Sequence, residues 1–200
     1  MGRVKIDKLK VFTHLAAAVP LAWLIWDYLH RQLTFNPIRE IQLRTGKDAL
    51  VLLILTLSCA PIKTWLNLPQ AMRLRRTLGL WAFAYACLHF LTFVGLDYRF
   101  DPGLIAEGVL KKPFALAGLA AFLILIPLAA TSTNGWARRL GKKNWRRLHR
   151  LIYAAAVLAA VHFFWIRSAK LNVGEPLVYG SIIAVLLIAR LPAVKRATSP

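Results

Sequence analysis

The sequence predicts an all-helical integral membrane protein, and three observations predict it. The chain is 58% hydrophobic with a mean hydropathy of +0.53, above the roughly 45–50% apolar content of soluble domains. Its apolar residues gather into six blocks: Val11–Leu29, Ala49–Trp65, Leu78–Leu96, Pro113–Ala130, Leu148–Ile166 and Pro176–Leu191. Each approaches the ~20 residues that cross a bilayer as a helix, one of only two backbone arrangements that lipid tolerates. The charges between the blocks alternate. With the N-terminus placed in the cytoplasm, the inner segments hold 18 Lys and Arg and the outer segments 9, while seven of the eight acids lie at or beyond the outer boundary. This is the positive-inside pattern. It predicts six transmembrane helices with both termini cytoplasmic. The connections leave no room for a separate soluble domain, so residues 1–200 form a single membrane domain. The net charge of +19 then reflects topology and attraction to anionic membrane lipid, not nucleic acid.

The first span closes in LIWDYLH, where Trp23, Trp26 and Tyr28 read as an interfacial aromatic belt. It is long for a signal-peptide core and lacks a small-residue cleavage site, so it is expected to remain. His30, just beyond it, reads as an interfacial side chain. His14, shallow on the cytoplasmic side, is a further cofactor candidate. The outer loop Phe35–Asp48 has turn signals at Asn36-Pro37 and Thr45-Gly46. Ile38, Ile41 and Leu43 between them predict a short interfacial helix, a connection or a docking surface. The second span is expected to close at Pro61, before an inner loop carrying Arg73, Arg75 and Arg76. The outer loop Asp97–Lys112 has a turn at Asp101-Pro102-Gly103. Cys59 and Cys87 fall within spans, with no CxxC pair, and read as packing thiols.

The longest inner loop, NGWARRLGKKNWRRLHR, places six basic residues between Arg138 and Arg147, interleaved with Trp136 and Trp145. One reading is a topology signal resting on anionic lipid. Another is a landing site for an anionic electron donor or a flavin phosphate. No glycine-rich phosphate cradle accompanies it.

Histidines inside membrane spans are costly and mark functional sites. His89 lies thirteen residues beyond Arg76 and His162 thirteen beyond His149, in each case about 20 Å of helix. The third and fifth spans both run from inside to outside. The two side chains therefore sit at matching depth on parallel helices, as two imidazoles facing each other across one iron porphyrin would. Such a six-coordinate haem transfers electrons and binds no substrate. Ala82, Ala84 and Ala86, and Ala154–Ala156, Ala159 and Ala160, would let a ring approach but serve plain helix packing equally well. The alternatives are a hydrogen-bonded histidine pair or a transporter's proton relay. Transport is disfavoured because no span carries a mid-membrane Asp, Glu, Lys or Arg, or a broken helix. His149 lies off the His162 stripe in a straight helix. It could serve an inner haem with His14 or an outside ligand, contact a flavin or quinone, or be a protonated interfacial histidine. Arg75, Arg76 and Arg147, near its depth, are further cofactor-binding candidates.

Four segments together carry a resemblance: NPIREIQLRTGKDAL (36–50), RRTLGLWAFAYACLHF (75–90), TSTNGWARRLGKKNWRRLHRLIY (131–153) and VHFFW (161–165). They resemble the MsrQ (YedZ) family, haem-binding membrane subunits of bacterial periplasmic methionine sulfoxide reductase systems, within the ferric-reductase-like transmembrane proteins. The resemblance covers nearly the whole chain. It implies a bacterial inner-membrane location and a b-type haem carried by three histidines matching His89, His149 and His162. It also implies FMN as a cofactor. Electrons would come from the quinone pool or a cytoplasmic flavin reductase and pass to a periplasmic molybdopterin partner, MsrP, which reduces methionine sulfoxide in oxidised proteins. Larger relatives hold two haems with four histidines on the third and fifth spans, and fuse a nucleotide-binding domain after the last. Here the third span offers only His89, so one haem between His89 and His162 is expected, a second at His149 stays open, and the electrons are expected to be borrowed. The runner-up is a stand-alone ferric or quinone oxidoreductase with a small-molecule acceptor. A third reading is a haem-free protein whose histidines only join helices.

Overall fold

The computed structural model describes residues 7–168 and 173–190, and these are almost entirely helical. Eight α-helices follow in order: α1 (Lys8–Leu29), α2 (Pro37–Trp65), α3 (Ala71–Leu91), α4 (Pro102–Leu110), α5 (Pro113–Ala130), α6 (Asn134–His149), α7 (Leu151–Ser168) and α8 (Gly174–Ile188). A π-helical turn, Thr92–Asp97, prolongs α3. Five helices are long and apolar enough to cross a membrane: α1, α2, α3 with its π turn, α5 and the α6–α7 run. The chain is a multi-pass membrane protein. The sixth expected span is the 15-residue apolar helix α8, about 22 Å long at 1.5 Å per residue. Its expected last residue, Leu191, lies outside the described residues, as do Arg3, Lys5, Lys170, Lys195 and Arg196 of the charge pattern.

The elements differ from expectation at the connections. No break separates an interfacial helix from the second span; α2 runs unbroken through both. Asn36 caps it by accepting from the Arg39 N–H at 3.1 Å, and Pro37 takes the first helical position, where a missing N–H costs nothing. Thr45 stays helical, its hydroxyl bonded to the Ile41 carbonyl at 2.7 Å. Nor does α2 stop at Pro61. Proline lacks the N–H that would bond the carbonyl four residues back, and the Arg190 guanidinium donates to that carbonyl, on Leu57. The outer loop holds α4, capped by Asp101, which accepts from the Leu104 N–H at 3.0 Å. The basic inner loop is helical too, as α6, interrupted where Gly141 takes a φ of 74°.

The core gathers leucines of α2 (Leu50, Leu52, Leu53, Leu57) with Ala82 and Tyr85 of α3 and Ala156 of α7. The closest packing joins α2 to α3 and α5 to α7, with α8 on α7 and α1 on α3. Tyr85 is fully buried and splices into α1 beside Pro20. The Leu21 N–H donates to its hydroxyl at 3.0 Å, and the hydroxyl donates to the Ala17 carbonyl at 2.8 Å. A side chain inserted into the ladder in this way is a standard cause of helix bending. It also fixes the register of α1 on α3.

Ion pairs mark the two ends of the bundle. Arg73 meets Asp7 at 2.7 Å and joins the starts of α1 and α3. At the opposite end Arg44 bridges Asp27 of α1 and Glu40, while Glu175 receives Lys47 of α2 and, at 2.8 Å, Arg167 of α7. The Thr34 backbone N–H, with Arg44 beside it, holds the Glu40 carboxyl below its usual range. The Lys47 hydrogen bond and then Arg167 do the same for Glu175. A depressed carboxyl stabilises the fold above its unfolded pKa, and that stability fades as pH falls through the folded value. Acidifying the detergent-solubilised protein below about pH 5 should therefore lower its unfolding midpoint. Glu175→Gln should lower the midpoint at neutral pH and flatten part of the acid slope. Equal slopes in both proteins would remove Glu175 from this role.

Candidate functional site: a paired-histidine centre

His89 on α3 and His162 on α7 come together. Their ring centroids are 6.0 Å apart and their planes cross at 82°. Both side chains are half-buried. Yet α3 and α7 do not pack closely on each other; each packs on its own antiparallel neighbour, α2 or α5.

Each imidazole is tied to that neighbour in the same way. The His89 Nδ1 bonds the Gln42 carbonyl of α2 at 2.9 Å. The His162 Nδ1 bonds the Phe114 carbonyl of α5 at 2.6 Å. A carbonyl oxygen only accepts, so Nδ1 carries the proton and, in the neutral ring, Nε2 carries the lone pair. Neither Nε2 makes a hydrogen bond within the described residues.

A glycine lies one turn beyond each accepting carbonyl. A Cβ on Gly46 would sit 2.9 Å from the His89 Nδ1, and a Cβ on Gly118 2.6 Å from the His162 Nδ1. Both distances are shorter than side-chain carbons tolerate. The glycines let each ring lie flat enough on a helix backbone to reach the carbonyl four residues earlier. Gln42–Gly46 and Phe114–Gly118 are thus two copies of one device. The π turn begins three residues after His89, and π turns recur at functional sites.

The donor set suits a metal that brings most of its own ligands. Among the described residues no group of three or more His, Cys, Asp or Glu side chains could hold a bare ion. A haem iron needs only axial ligands from the protein. Two imidazoles on opposite sides of one metal, at about 2.0–2.1 Å per bond, have centroids roughly 6–6.5 Å apart, which matches the observed spacing. Anchoring of Nδ1 by a carbonyl is the outer-shell arrangement usual for metal-ligating histidines. Of the small residues thought to make room, Ala82, Ala155 and Ala156 are buried in helix packing, whereas Ala84 and Ala154 are exposed.

The other histidines lie apart. His149 ends α6 on the opposite side of the bundle and stacks on Trp145 at 4.0 Å. The Thr131 hydroxyl donates to the Pro127 carbonyl at 2.6 Å. It must therefore accept from the His149 Nε2–H at 3.1 Å. His149 thus exposes the opposite nitrogen from the paired histidines. The Trp145 indole closes the cluster on the Thr131 carbonyl at 2.8 Å. His14 is exposed and accepts at Nδ1 from the Trp81 indole at 2.9 Å. His30 stacks on Trp26 at 3.8 Å and donates to its carbonyl at 2.9 Å. Arg75 is half-buried near His149, while Arg76 and Arg147 are exposed.

Residues 45–160 match the family described as ferric reductase like transmembrane component. The match takes in Gly46, His89, Gly118 and His149 and ends two residues before His162. Over 186 residues the chain is 43% identical to a protein of Herminiimonas arsenicoxydans, covering 93% of this chain and 85% of that one. That relative is named as the haem-binding subunit MsrQ of protein-methionine-sulfoxide reductase. The chain belongs to the MsrQ family. Relatives of the same name in Caulobacter vibrioides and Rhodospirillum rubrum are each 40% identical, covering 92% and 98% of this chain and 87% and 93% of theirs. No solved structure gives a significant match.

Neither the glycines nor the backbone carbonyls were visible as site residues in the sequence. Thr45-Gly46 reads as a turn, and Gly118 sits unmarked in an apolar run. The signal available was a glycine in each helix packed beside a histidine-bearing one. Replacing a helical glycine by alanine normally gains up to about 1 kcal/mol, but overpacking costs about 1–3 kcal/mol. Gly118→Ala should destabilise the purified protein most and Gly46→Ala less. Gly79→Ala, whose Cβ would meet the Thr56 methyl at an ordinary 3.5 Å, should be neutral or stabilising. Thermal unfolding of the three variants checks the order, and equal effects would contradict the close approach.

Proposed function

We propose that this chain is a b-type haem electron-transfer subunit of the bacterial inner membrane. It would serve a periplasmic molybdopterin methionine sulfoxide reductase, MsrP, that repairs oxidised proteins. The observation that carries the reading is the pair His89 and His162, each with Nδ1 fixed and Nε2 free at a spacing suited to one iron. The printed names of the relatives, haem-binding subunits of a methionine sulfoxide reductase, support it. Six spans with both termini cytoplasmic agree with the charge pattern.

A bound haem would supply one-electron redox chemistry, its iron held by His89 and His162. The protein's part is to hold the two imidazoles. The Gln42 and Phe114 carbonyls orient the rings, keep the proton on Nδ1 and raise the basicity of Nε2. With both imidazoles given to the iron, substrate chemistry would fall to the partner. The anchors lie toward the end of the bundle marked by Asp27, Arg44 and Glu175, which the charge pattern assigns to the periplasm. Electrons would enter from the quinone pool or a cytoplasmic flavin reductase near the basic α6, with FMN as a further cofactor, and leave toward the outer face.

The test is the reduced-minus-oxidised spectrum of the purified chain, with pigment extraction to count haem. One b-type haem per chain is expected. His89→Ala and His162→Ala should each weaken haem retention by at least the roughly 10–100-fold that loss of an outer-shell partner costs, and His149→Ala should spare it. Normal haem content in both of the first two variants would overturn the pairing. Electron delivery to purified MsrP, absent with small ferric acceptors alone, separates a dedicated subunit from a stand-alone oxidoreductase.

A further inference from the structure

The two imidazole anchors are built alike but carry different loads. The Gln42 carbonyl receives the His89 Nδ1–H at 2.9 Å, and the Phe114 carbonyl receives the His162 Nδ1–H at 2.6 Å. Within its own helix each carbonyl also faces the N–H four residues on, of Gly46 or Gly118. A third donor stands beside Gln42. The Thr45 hydroxyl lies 2.7 Å from the Ile41 carbonyl and 3.2 Å from the Gln42 carbonyl. The matching position, three residues beyond Phe114, is Ala117, which is buried and has no hydroxyl. Among the described residues no side chain other than His162 donates to the Phe114 carbonyl.

Thr45 is 1% exposed, so its hydroxyl must find acceptors inside the protein. The bond to Ile41, four residues back, would satisfy it alone. Thr13, Thr56, Thr92 and Thr131 each bond back to one carbonyl in that way. Thr45 differs from them in reaching a second carbonyl, the one that orients His89. A hydroxyl has a single proton to share between its two acceptors, and a carbonyl oxygen has two lone pairs. The Gln42 oxygen therefore divides its lone pairs among three donors, and the Phe114 oxygen between two. Each added donor draws on the same electron density, so less is left for His89. The longer of the two anchor bonds is the one at Gln42. A firm hold on Nδ1–H makes Nε2 a stronger electron donor to a metal, and hydrogen bonding in the outer shell is one of the levers on haem potential.

We propose that Thr45 is a positioning residue of the paired-histidine centre. Its hydroxyl competes for the Gln42 carbonyl, slackens the His89 anchor and makes His89 the weaker of two unequal iron ligands. The inference rests on the haem reading above. Electron-rich ligands stabilise oxidised iron, so slackening one anchor raises the redox midpoint of the centre. Thr45 acts through Gln42 and His89, not on the iron itself.

The test is the equilibrium redox midpoint of the purified, haem-loaded full chain, followed through its reduced-minus-oxidised spectrum. Thr45→Val, which keeps the side-chain shape and removes the hydroxyl, should lower the midpoint. At the wild-type midpoint the reduced-to-oxidised ratio should fall about threefold, near the lower end of what one hydrogen bond contributes. That is about 30 mV, a tenfold change being about 59 mV for one electron. Thr45→Ala should shift the midpoint the same way, and it carries the test if the valine packs badly. Thr45→Ser restores the hydroxyl and should return the midpoint to the wild-type value. Thr56→Val removes another buried hydroxyl of α2, one that bonds the Leu52 carbonyl and no anchor, and should leave the midpoint unchanged. An unshifted or raised midpoint in Thr45→Val and Thr45→Ala, no recovery in Thr45→Ser, or an equal fall in Thr56→Val would overturn the proposal and leave the haem reading standing. A wild-type chain that binds no haem would overturn both.

Discussion

Two hydrogen bonds, each from an imidazole Nδ1 to a backbone carbonyl of a neighbouring helix, determine the character of this molecule. They settle which nitrogen of His89 and His162 is free. They also hold the rings at 6.0 Å across the space between α3 and α7. A carbonyl within a helix already accepts a bond from the N–H four residues on. A side chain can share it only by lying against the backbone, and Gly46 and Gly118 stand where a Cβ would forbid that.

Much of the remaining architecture keeps those carbonyls in place. Gln42 and Gly46 belong to the part of α2 that overhangs its apolar run, a stretch that would fray if left alone. Arg44 ties it to Asp27 of α1, and Lys47 ties it through Glu175 to α7 and α8. The ion pairs at this rim flank the Gly46 contact directly. At the other end Pro61 frees a carbonyl that Arg190 takes up, which pins α8 to α2 beside a pocket lined by arginines. The two ends thus differ in chemistry. One is an imidazole pair with compensated charges around it, and at the other Arg75, Arg150 and Arg190 meet no carboxylate among the described residues.

The membrane class and the pairing candidates were legible in the sequence. Apolar blocks report burial in lipid, and a histidine inside such a block stands out because lipid penalises it. The connections were not legible. Thr45-Gly46 has the composition of a turn, yet the chain stays helical there, and the missing Cβ of Gly46 leaves room for the His89 ring. Asn36 and Asp101 read as turn residues and serve as helix caps. The basic stretch 134–150 reads as a loop by its charge, and its charges lie on a surface helix broken only at Gly141. Backbone carbonyls have no letter in a sequence, so the acceptors of Gln42 and Phe114 could be found only in three dimensions. The same holds for the meeting of Arg75, Arg150 and Arg190, which are far apart along the chain.

The central claim is that the protein sets the orientation of its two imidazoles before any iron joins them. The electron paramagnetic resonance spectrum of the oxidised, haem-loaded protein reads that orientation directly. Perpendicular ligand planes leave the two iron orbitals that overlap them nearly equal in energy, and parallel planes split them. Rings held at 82° should give the single, strongly anisotropic low-spin signal of perpendicular ligands. A three-line rhombic signal of parallel ligands, or a high-spin signal from an iron with an open position, would contradict the claim.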